Sequence, residues 1–119
     1  MAVDIEDLAT LIRDLHAAYD SNEWEPSPAE RVCAVRILEV VASRPLSEAI
    51  VQGLRWATPL SEDSRLASVA VSYAVHFRRS MAPPPGPGQR VEDAFLDLLR
   101  KITGHPGEGA AVAVGTSGP

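Results

Sequence analysis

A single cysteine, Cys33, leaves no intrachain disulfide possible. Aromatic residues make up only 5% of the chain. A core must therefore come from Leu, Ile, Val and Ala, a composition that suits packed helices better than a strand sandwich. No apolar run approaches the roughly 20 residues a membrane helix needs. The first residues lack a basic–apolar–small pattern as well. The expectation is no membrane association and a reducing, cytoplasmic setting. Gly-rich phosphate loops and Gly-x-Ser-x-Gly turns are missing too; Gly86 and Gly88 follow prolines and precede no strand-to-helix junction.

What is present is helical period in every segment. In the first segment, from Asp4 to about Tyr19, Ile5, Leu8, Leu11, Ile12, Leu15 and Tyr19 fall on one face. Ser27-Pro28-Ala29-Glu30 has the form of a capping box with Pro at the first helical position. The helix it opens runs to about Ser43. Its apolar residues, Val32 and Val35 included, cover more than half the circumference, which predicts a central helix packed on several sides. Arg44-Pro45 ends it. A third helix is expected over Leu46–Ala57 and a fourth, the longest, over about Leu60–Ser80. In the fourth, Ser64, Ser68 and Ser72 repeat every four residues, so another helix can approach closely there.

The segment Met81-Ala82-Pro83-Pro84-Pro85-Gly86-Pro87-Gly88 reads as a stiff spacer. Beyond it, Gln89–Thr103 forms an amphipathic helix with Val91, Ala94, Phe95, Leu98, Leu99 and Ile102 in one stripe, and Gly104 is a good C-cap. The rest has the composition of a disordered tail. The expected fold is all-α: a compact body of four helices over 1–81, a Pro/Gly linker over 82–88, a fifth helix over 89–103 and a tail over 104–119. A lone helix of about 15 residues is marginal in water. It must dock on its own body or on a second chain.

Chemistry is hard to find. The Glu-x-x-His motif of di-iron bundles is absent, since Arg13 precedes His16 by three and Tyr73 precedes His76 by three. His16 and Asp20, four apart, have the spacing of two metal ligands but read more simply as a helix-edge His beside a helix-ending Asp. His105 falls in the tail. Cys33 lies on an apolar helix face, where a thiol is structural and inert. Glu23 and Glu25 flank Trp24 in a loop, and the plain reading is a solvated loop whose Trp covers the end of the bundle. No catalytic residue, metal or other cofactor is assigned, and the chain is not expected to be an enzyme. A ligand carrier using a cavity among the Ala- and Ser-lined helices is the remote alternative.

Net charge is −5, which argues against a free nucleic-acid binder. The distribution is uneven: residues 1–30 hold eight acids against Arg13 alone, whereas residues 31–119 hold eight acids against ten bases. A helix-turn-helix over Leu46–Val71 is disfavoured by Pro59 and by Glu62 and Asp63 at the candidate recognition helix. Two functions remain. The first is a non-catalytic protein-interaction module, an adaptor or small assembly subunit, meeting a protein partner or a second copy through Val91, Phe95, Leu98, Leu99, Ile102 and Trp24. The alternative is a helical small subunit that binds nucleic acid within a larger complex through Arg31, Arg36, Arg44, Arg55, Arg65, Arg78 and Arg79.

Overall fold

A computed structural model describes residues 5–60, 64–80 and 87–104. These form five helices: α1 (Ile5–Asp20), α2 (Pro28–Val41), α3 (Leu46–Ala57), α4 (Arg65–Ser80) and α5 (Pro87–Thr103). No strand occurs among the described residues, so the chain is all-α. The spacer is shorter than its composition suggests. Pro87 and Gly88 already belong to α5, because proline tolerates a first turn whose N–H groups have no helical partner. Residues 81–86, the remainder of that spacer, and the tail from His105 onward lie outside the described residues. Gly104 ends α5 with φ +76°, a conformation in which glycine carries no Cβ penalty.

The principal helix pairings are α2 with α3, α3 with α4, α4 with α1, α1 with α5, and α5 with α2. Five pairings among five helices close a ring. The fifth helix is the segment that separates α1 from α2, and its apolar stripe is spent inside the chain. Phe95, Leu98, Leu99 and Ile102 are fully buried and Val91 nearly so. They join Leu8, Ile12, Leu15, Ile37, Ile50, Leu66 and Val69 in one core. The ring of Phe95 lies 5.4 Å from that of Tyr73, which stacks on Phe77 at 4.7 Å.

Polar bonds hold α5 in place at its C-terminal end. Arg31 Nη1 donates to the Ile102 carbonyl at 2.6 Å. Tyr19 Oη donates to the Lys101 carbonyl at 2.9 Å. Cations and donors at the end of a helix satisfy carbonyls that have no helical partner. Lys101 Nζ in turn reaches Asp20 Oδ1 at 3.2 Å.

The capping box at α2 is present as expected: Ser27 N donates to Glu30 Oε1 at 2.8 Å, and Glu30 N donates to Ser27 Oγ at 3.2 Å. Glu30 is nonetheless buried and has a second task. Its other carboxylate oxygen accepts from the Ser64 hydroxyl, while Ser64 Oγ accepts from Ala67 N at 3.3 Å. Ser64 thus caps α4, which starts at Arg65 rather than near Leu60 and is shorter than α5. A serine read from sequence as a packing residue is the junction between two helix starts.

Helices α2 and α3 meet closely at Gly53. A Cβ placed there would lie 2.5 Å from Cδ1 and 2.6 Å from Cγ1 of the buried Ile37. Gly53→Ala gains roughly 1 kcal/mol of helix propensity but overpacks the core, at about 1–3 kcal/mol. The expected net result is a loss of about 1 kcal/mol. Ile37→Val removes the obstructing Cδ1. In the Gly53→Ala background it is expected to cost less than its usual ~1 kcal/mol. Urea unfolding of the four chains measures this; strictly additive losses would mean the two side chains do not meet.

Candidate interaction face

The expected docking stripe is not on the surface. Val91, Phe95, Leu98, Leu99 and Ile102 all lie in the core, packed with residues of α1 and α2. The physical reason is that α1 and α2 each need a neighbour, and α5 supplies the surface for both. Trp24 is half-buried, edge-on to Tyr19 with ring centroids 6.2 Å apart. Its backbone N–H donates to the Ala18 carbonyl at 3.2 Å, which ties the loop over the end of α1.

The arginines are spread out. Arg44 pairs with Glu48 at 3.8 Å. Arg65 and Arg78 stand at opposite ends of α4, about 20 Å apart at the helical rise. Arg55 is exposed on α3, and Arg79 belongs to the last turns of α4. Arg31 and Arg36 line one shared hollow, together with Val32, Val35 and Glu39.

That hollow marks the main departure from expectation. Helix α2 is not packed on several sides. Cys33, Ala34 and Ile37 are buried, but Val32 is 52% and Val35 36% exposed. The ring gives α2 two principal neighbours, α3 and α5, so part of a helix that is apolar over more than half its circumference meets water. Arg36 continues this side towards α3, with its guanidinium 5.7 Å from the Trp56 ring centroid, a cation–π distance. Ala29, Pro59 and Leu60 border the same surface. The result is an apolar strip with a cation on each flank and Glu39 one turn further along.

A groove of about 730 Å³ runs between α1 and α5, with Ile5, Ala9, Val91 and Ala94 along it and Arg13 and Arg90 among its charged residues. There His16 Nε2 donates to the Ala94 carbonyl at 3.3 Å and lies 3.7 Å from Asp97 Oδ2. His16 and Asp20 both line this groove, but Asp20 pairs with Lys101. A shallower hollow between α3 and α4, lined by Leu54, Ala67, Ser68, Val71 and Ser72, is where the small-residue stripe allows close approach.

Reactive groups are few. Burial first, and the nearby Glu30 second, push the Cys33 thiol up to about 11, so it stays protonated at neutral pH and is a poor nucleophile. Its Sγ lies 3.6 Å from the Gly53 carbonyl. Tyr73 Oη and His76 Nε2 are buried without a hydrogen-bond partner among the described residues. Burial, then Glu92 and Asp93, hold the Tyr73 hydroxyl far above its usual range. The carboxyl of Glu92 is itself raised, by burial and then by Asp93. No group of three or more His, Cys, Asp or Glu with metal-binding geometry occurs among the described residues, and no described helix is long and apolar enough to cross a membrane. No known family, no curated protein and no solved structure matches this chain.

Proposed function

We propose that this protein is a non-catalytic helical interaction module, an adaptor or small assembly subunit, and that it meets its partner through the outer side of α2. One observation carries the reading: Val32 and Val35 are exposed side by side on a helix whose apolar residues cover more than half its circumference. Adjacent exposed apolar residues rimmed by polar ones mark interaction sites. Trp56 and Arg36 supply the residue types that dominate interface energies. The nucleic-acid alternative has less behind it, because Arg65 and Arg78 stand at opposite ends of α4 and Arg44 already has an acid partner.

The test is affinity capture with the full chain as bait, compared with a Val32→Glu/Val35→Glu double variant. Both positions are exposed, and glutamate is a better helix former than valine, so the variant keeps its circular dichroism spectrum. Proteins recovered specifically by the parent chain are expected to be lost from the variant. An unchanged set of captured proteins would overturn the reading, and so would no captured protein from either bait together with a parent chain that stays monomeric at all concentrations.

A further inference from the structure

The chain itself carries a surface complementary to the α2 strip. On α1, Leu11 is 42% exposed and lies between Asp7 and Asp14, at i−4 and i+3, both exposed. These three residues share one side of the helix. Leu11, Val32 and Val35 are three of the four large hydrophobics exposed among the described residues. The fourth, Val71, lies in the α3/α4 hollow. One helix thus offers an apolar residue between two acids, and another offers two apolar residues between Arg31 and Arg36. The acids are about 10 Å apart along α1 and the two arginines about 8 Å apart along α2, at 1.5 Å per residue. Arg31 already bonds the Ile102 carbonyl through Nη1 and Arg36 lies over Trp56, so the aspartates meet the remaining N–H donors of the two guanidinium groups. Glu39 closes one end of the strip and disfavours a register in which an aspartate slides past Arg36.

We propose that the α2 strip is covered by α1 of a second copy of this chain. The inference rests on the interaction reading above and names the partner. Within one molecule α1 and α2 lie on either side of α5. The contact is therefore heterologous, α1 of one copy on α2 of the next, and each added copy leaves both kinds of face available unless a ring closes.

Charge reversal tests this. The parent chain, followed by light scattering after size exclusion, is expected to rise above its 12.7 kDa monomer mass as concentration increases, and less so at high salt. Arg36→Glu sets an acidic α1 against an acidic strip, and Asp14→Arg sets arginine against arginine. Each variant alone is expected to associate at least about tenfold more weakly, while an equimolar mixture of the two recovers association, because every contact in it pairs opposite charges. A parent chain that stays monomeric at all concentrations, or variants that associate as the parent does, would overturn the proposal. So would a mixture that fails to recover. If the parent is monomeric yet Val32→Glu/Val35→Glu still abolishes capture of a foreign protein, self-docking falls and the interaction reading stands.

Discussion

A chain ending at residue 86 is expected to unfold. Its helical circular dichroism should fall to a small fraction of the parent value, and the cooperative denaturant transition should disappear. The deletion removes Val91, Phe95, Leu98, Leu99 and Ile102, all buried. At about 1.5–3 kcal/mol for each buried side chain, that is roughly 7–15 kcal/mol of burial. A domain has about 5–15 kcal/mol of net stability in total. The losses extend beyond α5, because Leu8, Ile12 and Leu15 on α1 and Ala34 and Ile37 on α2 share its cluster. Arg31 and Tyr19 also lose the carbonyls they bond. Without α5 the ring is open and α1 has α4 alone as a principal neighbour. A synthetic peptide covering 87–104 should restore helicity when added to the shortened chain. A shortened chain that unfolds cooperatively at the parent's denaturant midpoint would mean that α5 is peripheral.

Replacing Glu30 has the next largest expected effect. Glu30→Ala leaves Ser27 N–H without its side-chain acceptor and the Ser64 hydroxyl without the carboxylate it bonds. A lost capping interaction costs about 1 kcal/mol, and losing a hydrogen bond to a charged group costs about 1.5–3 kcal/mol. The sum is about 2.5–4 kcal/mol, read as a lower urea midpoint with an unchanged slope. Glu30→Gln keeps an acceptor for Ser27 N–H and is expected to recover about half of that loss. Ser64→Ala tests the other end of the link: in a Glu30→Ala background it should cost less than it does alone, since the two residues act as one unit. Equal costs in both backgrounds would separate the two caps and remove Glu30 as their junction.

The parts of this fold that depend on neighbours three or four residues apart were legible beforehand. The apolar stripe of α5, the Ser27–Glu30 capping box, the limits of α3 and the role of Gly104 all come from local spacing and from what proline and glycine permit. The face of α2 was misread for a definable reason. Periodicity says which residues of a helix are apolar, and it does not say how many neighbours the helix will have. Val32 and Val35 look like core residues and stand in water because the principal neighbours of α2, which are α3 and α5, leave that side uncovered. The start of α4 was misplaced because the bond that fixes it runs from Ser64 to Glu30, 34 residues away. His16 and Asp20 have ligand-like spacing in sequence, yet each turns to a different residue of α5.

By itself, then, the sequence determined that the chain is helical, how the second helix is capped, and which stripe of the last helix must be hidden. These follow from backbone hydrogen bonding and from the hydrophobic effect acting over one or two turns. Only the tertiary structure decided where that stripe goes. Closing five helices into a ring places α5 between α1 and α2, because that position buries its whole apolar face in its own chain. The same closure leaves apolar residues between charges of opposite sign facing outward, Leu11 between its aspartates and Val32 with Val35 between their arginines. Which side of a helix faces water is set by the packing of all the helices at once, and no single segment carries that information.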